Sequence, residues 1–249
     1  MSMLELNRVK KSFGDNPVIR DISLSVEQGD VGSGGGRFMK QIIAFGDSNT
    51  WGLNPVMRTR YPENVRWTGL LRKKLSRNGF ALVEEGLCGR TTVFDDPDHP
   101  GLKGEEAVSG ILSRNNRSFA VIIMLGTNDC KAVFDATAEE IGKGLERCLD
   151  RFESEISPEH ILVIAPVALG KDVWKPEKDP AFSRKSVRVS AELKTVYSKI
   201  AGKRGHLFLA AEDYVRPSRF DDEHINAEGH SILAEAIYRT LTDSFLQTG

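Results

Sequence analysis

Five short apolar runs, residues 42–45, 80–84, 119–125, 161–165 and 207–210, recur along the chain with longer stretches of helical periodicity between them. Runs this short that are apolar at nearly every position suit strands buried on both faces, because a half-exposed strand would alternate apolar with polar residues. The stretches between them, residues 66–77, 104–113, 138–155 and 183–201, and residues 227–245 after the last run, predict helices. This alternation predicts an α/β chain in which helices cover both faces of a parallel sheet through right-handed crossovers. Pattern alone leaves the strand order open. It does locate the chemistry, since sites in open sheets lie beyond the C-terminal ends of the strands.

Three segments near such ends carry reactive side chains. Gly46-Asp47-Ser48-Asn49-Thr50 follows the first run directly, so Ser48 sits where a strand hands over to a helix, and a hydroxyl there becomes a nucleophile if a base is in reach. Met124-Leu125-Gly126-Thr127-Asn128-Asp129 closes the longest apolar run. Asp221-Asp222-Glu223-His224 lies in a loop ahead of the last helix, with Asp221 three residues before His224 and able to orient its imidazole. A serine, a histidine and an orienting carboxylate are the parts of a nucleophilic acyl-transfer site.

In this order the residues resemble the blocks of the SGNH (GDSL) hydrolases. Ser48 matches the first block, a glycine of Gly86-Leu87-Cys88-Gly89-Arg90-Thr91-Thr92 the second, Asn128 the third, and Asp221 with His224 the last, a likeness running from about Met39 to the C-terminus. Arg66-Trp67-Thr68-Gly69, Glu84-Glu85-Gly86-Leu87, Arg90-Thr91-Thr92, Asp95-Asp96-Pro97 and Gly126-Thr127-Asn128-Asp129 further resemble the bacterial arylesterase and acyltransferase branch. The resemblance implies a three-layer α/β/α sandwich with a five-stranded parallel sheet in the flavodoxin-like order 2-1-3-4-5. It implies a serine esterase without a cofactor, with Ser48, Asp221 and His224 as triad. The oxyanion donors it implies are the backbone N–H of Ser48, that of a second-block glycine and the amide of Asn128. Gly89 is preferred for the glycine, because Gly86 reads as a strand-ending turn. A homo-oligomer, with loops packed between subunits at the site entrance, is implied as well.

Other residues have plainer readings. Asp222 and Glu223 compete with Asp221 as partner of the histidine, and only spacing favours Asp221. Asp47 reads as a turn or helix cap and Asp129 as a loop buttress. His230, one turn into the last helix, reads as a packing or hydrogen-bonding histidine. His99, His160 and His206 lie away from the motifs, and no metal-ligand cluster is expected. Trp51, Leu53 and Trp174, with Phe94 and Phe182, flank the strand-end loops and are candidates for an acyl or aryl pocket. Residues 53–64 and 169–181, rich in proline and charge, read as loops over the active end of the sheet.

Composition narrows the partners. A net charge of −1 over 249 residues gives no reason to expect nucleic acid or a membrane surface. The start of the chain lacks the apolar core of a signal peptide, and Cys88, Cys130 and Cys148 leave one thiol over in any pairing, so a reducing cytoplasm is expected. Residues 1–38 stand apart from the domain at 39–249. Alternating runs on either side of Phe13-Gly14-Asp15-Asn16-Pro17 predict a β-hairpin, which resembles the opening of an ABC-transporter ATPase. It then enters Gly32-Ser33-Gly34-Gly35-Gly36, a flexible linker composition, and the phosphate-binding Gly-rich loop is missing. The segment therefore reads as a fusion leader. The leading expectation is hydrolysis of short-acyl, aryl-tolerant esters, with some acyl transfer to alcohols. A carbohydrate- or lipid-directed esterase and a nucleotide-binding transport accessory are the alternatives.

Overall fold

The structure, a computed structural model, describes residues 2–13, 16–27, 39–115 and 118–246. It divides into two compact units, Met1–Met39 and Lys40–Gly249. In the first, strands β1 (Ser2–Phe13) and β2 (Asn16–Glu27) pair antiparallel as the expected hairpin. The glycine-rich stretch after it lies outside the described residues.

The second unit is built on strands β3 (Lys40–Gly46), β4 (Phe80–Gly86), β5 (Ser118–Met124), β6 (Ile161–Ala165) and β7 (Leu207–Ala210). All neighbouring pairs are parallel, in the order β4-β3-β5-β6-β7. Counted within the unit this is 2-1-3-4-5, the order the resemblance implied. The apolar runs explain why the sheet is internal. Alternate residues of one strand feed two separate cores, with Ile43, Phe45, Val121, Ile123 and Val163 on one face and Ile42, Ala44, Ala120, Ile122 and Leu162 on the other.

Helices α3 (Gly104–Arg114), α4 (Ala138–Glu153) and α5 (Arg184–Arg204) cover the first face with residues such as Ile111, Leu145 and Leu193. Helices α2 (Trp67–Leu75) and α6 (Ala227–Leu241) cover the second with Leu71 and Ile237. Capping chemistry sets where several begin. Thr137 and Glu140 form a reciprocal box at the start of α4, and the Asn226 side chain accepts from Gly229 N–H at 2.8 Å at the start of α6. No helix among the described residues is long and apolar enough to cross a membrane.

One detail of register matters for function. Gly46 pairs with Gly86 on one side and with Met124 on the other, so β3, β4 and β5 end level. The loops that follow them, bearing Ser48, Gly89 and Asn128, therefore emerge side by side.

Candidate active site

Ser48 opens helix α1 (Ser48–Trp51), a single turn reversed by Gly52 in the left-handed region. So short a helix contributes little dipole, and position has to come from elsewhere. It comes from Asp47, whose carboxylate accepts the Asn49 N–H at 2.9 Å and caps the turn. Burial, partly offset by that bond, raises the Asp47 carboxyl to about 6.

The serine Oγ lies 2.8 Å from His224 Nε2, and His224 Nδ1 lies 2.7 Å from Asp221 Oδ2. All three side chains are buried. The second oxygen of Asp221 accepts the backbone N–H groups of Glu223 and His224, each at 3.1 Å, so the carboxylate shapes its own loop while it holds the ring. Burial raises the Asp221 carboxyl, but these bonds and the His224 charge outweigh it and leave it below the usual carboxylate value. Asp222, one of the rival carboxylates, turns away and takes Lys178 Nζ at 2.6 Å and Asp172 N–H at 3.1 Å. Glu223, the other, stays near, with its carboxylate 3.5 Å from His224 Nδ1.

Across from the histidine stand Gly89 and Asn128. Gly89 adopts φ 81, a left-handed conformation that a side chain would strain, and it lines the cavity beside Ser48. Gly86 instead ends β4 against the backbone of Thr50 and Trp51, where no side chain fits. Among the described residues the N–H groups of Ser48 and Gly89 donate to no loop carbonyl. The Asn128 amide donates to the Arg90 carbonyl at 3.1 Å, which fixes its plane and leaves a second N–H for the cavity. Asp129 turns inward and accepts from Thr92 N–H at 2.9 Å and from the Thr92 hydroxyl, tying the third block to the second.

The cavity measures about 170 Å3, and its walls include Ser48, Leu53, Arg58, Gly89, Asn128, Lys131, Asp179, Glu223 and His224. Arg58 and Asp179 come from the two long loops expected over the sheet. Leu53, expected in the pocket, lies in its wall. Trp51 and Trp174, expected there with it, do not. Trp51 is turned toward Arg60, whose guanidinium lies over its ring, and Trp174 packs on the core under Arg184 while donating to the Lys171 carbonyl. Each indole thus has its own partner outside the cavity. Phe94 stacks on Phe134, and Phe182 is part of the core.

His230 is fully buried, and its Nδ1 accepts the Trp67 N–H at 3.2 Å. That N–H belongs to the first turn of α2, which has no side-chain cap of its own. Burial, with His224 and Arg66 adding to it, pushes His230 down to about 3, as an accepting neutral ring requires. Asn49 escaped the sequence reading. Its amide oxygen accepts Ile225 N–H at 3.0 Å and its nitrogen reaches the Glu223 carbonyl at 3.4 Å, so it links the serine turn to the histidine loop. Its place directly after the serine was the only available signal. Among the described residues one group of potential metal ligands converges, Asp221, Glu223 and His224, within 4.8 Å. The first and last are engaged with each other, which leaves Glu223 as a single carboxylate.

A family model for the GDSL-like lipase/acylhydrolase family matches residues 44–232, a span that holds every one of these groups. The chain belongs to that family. It is an SGNH-type carboxylic ester hydrolase, and solved structures of this class superpose on it. Est24, a carbohydrate acetylesterase from Sinorhizobium meliloti, is 33% identical, with 83% of this chain and 100% of that one covered at a TM-score of 0.76. The aryl esterase of M. smegmatis is 31% identical over the same shares, with a TM-score of 0.75. A second carbohydrate acetylesterase family member from Sinorhizobium meliloti is 27% identical, covering 83% of this chain and 99% of its own at 0.74. No curated protein matches the chain.

Proposed function

We propose that this GDSL-family chain is a serine esterase that hydrolyses short-acyl carboxylic esters, aryl acetates among them, through an acyl-Ser48 intermediate. The observation that carries the reading is the unbroken hydrogen-bonded line from Ser48 through His224 to Asp221, opening on a small cavity. Ser48 Oγ attacks the ester carbonyl while His224 Nε2 takes its proton. Asp221 holds the ring in the required tautomer and stabilises the imidazolium that forms. The negative oxygen of the tetrahedral intermediate meets the N–H groups of Ser48 and Gly89 and the free N–H of Asn128. His224 then protonates the leaving alcohol, and water reverses the sequence to release the acid.

Several features bear on substrate. A cavity of this size has room for an acetyl or propionyl group beside the alcohol, and Leu53 is the one aliphatic residue in its lining, which disfavours long lipid chains. Polar walls support the carbohydrate-directed alternative, in keeping with the likeness to Est24. An open, polar mouth admits water, so hydrolysis should exceed transfer to alcohols. Exposed Val56, Met57 and Phe220, each within two residues of Arg58 or Asp221, support a homo-oligomer with these loops at its interface, which light scattering would test. Three free thiols support a reducing compartment.

The deciding experiment is turnover of p-nitrophenyl acetate, butyrate and a long-chain ester by the whole chain and by a form lacking residues 1–38. The reading expects falling rates with acyl length and no dependence on the leader. Loss of activity with the leader would favour the transport-accessory alternative.

A further inference from the structure

Glu223 is the one acidic side chain of the cavity wall that the proposed chemistry leaves without a task and that no described donor hydrogen-bonds. It is 5% exposed. Its backbone is held at both ends, the N–H by Asp221 Oδ1 at 3.1 Å and the carbonyl by the Asn49 amide at 3.4 Å. Its carboxyl receives no hydrogen bond from the described residues. His224 Nδ1 lies 3.5 Å from it, and that nitrogen is already hydrogen-bonded to Asp221. A nearly buried carboxyl without a hydrogen-bond donor is unfavourable, and Glu223 lines the cavity, where a substrate group can supply one.

The reaction geometry says which part of the substrate that partner is. The ester carbonyl oxygen must face Ser48 N–H, Gly89 and Asn128, and the leaving oxygen must face His224 Nε2. The alcohol therefore lies on the histidine side, where Glu223 stands. We propose that Glu223 is the specificity-determining residue for the alcohol half of the ester, pairing with a hydroxyl two or three carbons from the ester oxygen, so that monoesters of diols and polyols are the preferred substrates. This inference rests on the esterase reading above. Burial raises the Glu223 carboxyl to about 7, with Asp179, Asp221 and Asp47 adding to it and His224 opposing, so both forms are present near neutrality. The ionised form accepts from the hydroxyl, and the protonated form donates to it. A site built to pair a hydroxyl discriminates strongly against an analogue that leaves its own polar group unpaired.

The test compares 2-hydroxyethyl acetate with propyl acetate, in which a methyl replaces the hydroxyl, on the full chain. Each kcat/KM is divided by the rate of hydrolysis of that ester in alkali, and the ratio is taken for wild type, Glu223→Gln and Glu223→Leu. The wild type should prefer the hydroxylated ester by about tenfold to a hundredfold. Glu223→Leu should bring the ratio close to one, and Glu223→Gln, which can still donate and accept, should keep most of it. Because the ratio is internal to each protein, a general loss of turnover does not move it. A wild-type ratio near one overturns the assignment, even if the leucine variant fails to fold, and so does an undiminished preference in that variant. Hydrolysis of neither ester by the wild type, or its survival in Ser48→Ala, removes the esterase reading itself and this inference with it.

Discussion

The wall of the cavity that carries Ser48, Gly89 and Asn128 hangs from three adjacent strands that end level, whereas the wall that carries Asp221 and His224 is a loop beyond β7 with no strand directly behind them. Position on the first wall is inherited from the hydrogen-bond ladder of the sheet. On the second it is made locally. Ser218 N–H donates to the His224 carbonyl at 2.7 Å, Asp222 N–H to the Ser218 carbonyl at 2.8 Å, and Gly170 N–H to the Asp222 carbonyl at 2.7 Å. The proposed triad thus joins a part that is as rigid as the sheet to a part that is only as rigid as a handful of loop bonds.

The largest effect expected removes the line that joins the walls. Ser48→Ala or His224→Ala should each lower kcat by roughly 10³–10⁶, and the double variant should be no worse than either alone, because the members act as a unit. Turnover of p-nitrophenyl acetate measures it, and near-wild-type rates in either variant would remove the triad. Next comes a change on the strand-borne wall alone. Asn128→Ala should cost roughly 10²–10³ in kcat, about 3–4 kcal/mol of transition-state stabilisation, if its free N–H meets the oxyanion. Loss of folding without loss of specific activity in the folded fraction would make it a turn residue instead.

The same division explains how much could be read in advance. The five strands were legible because the inner three are buried on both faces and the edge strands β4 and β7 still carry short apolar runs; residues 119–125 differ from β5 by one position at each end. The strand ends placed the segments of Ser48, Gly89 and Asn128 together, and the family resemblance picked these residues within them. The histidine loop was legible only as a motif. Nothing in Asp221-Asp222-Glu223-His224 says that Asp222 will leave for Lys178 while Glu223 stays. That outcome depends on the positive φ of Asp222, 58, and on contacts with a loop fifty residues earlier. The two tryptophans failed for a related reason. Proximity in sequence to a strand end does not tell which way a large ring points, and each indole found a guanidinium outside the cavity.

Asn49 is where the comparison can be broken most directly, because it sits in the serine turn and its side chain bonds the histidine loop without belonging to the proposed triad. Asn49→Ala leaves the buried Ile225 N–H without its acceptor, which should cost about 1–3 kcal/mol of stability, read as a fall in the denaturant midpoint. If the histidine loop depends on that tie, kcat should fall about tenfold as well, since small misplacements of a base are costly. A stable, fully active variant would show that the loop positions His224 unaided. His230→Ala provides the contrast. It strips the Trp67 N–H of its acceptor, for a similar loss of stability, but leaves the Trp67 indole bond to the Asn49 carbonyl at 3.0 Å in place, and no hydrogen bond joins His230 to Ser48 or His224 among the described residues, so turnover of the folded protein should hold.

The smallest effect is a displacement along the pH axis, and it separates the walls without removing any bond to the serine. His224 must be neutral to accept the Ser48 proton, so kcat/KM falls as pH drops through its pKa. Burial is the largest single influence and pulls that pKa down, but the nearby Glu223 carboxylate and the bond and charge of Asp221 outweigh it, and the net shift is upward from 6.5. A raised native pKa also means that the charged ring stabilises the fold. That stabilisation is fully present below the unfolded value and is lost as pH rises through the native one, while His230, held neutral down to about 3, opposes it as pH falls below 6.5. Glu223→Gln removes a negative neighbour and should move the acid limb of kcat/KM to lower pH. Asn128→Ala, on the strand-borne wall, should lower the whole profile and leave the limb in place. A limb that stays put in Glu223→Gln, or moves upward, would show that the loop carboxylate does not set the titration of the base.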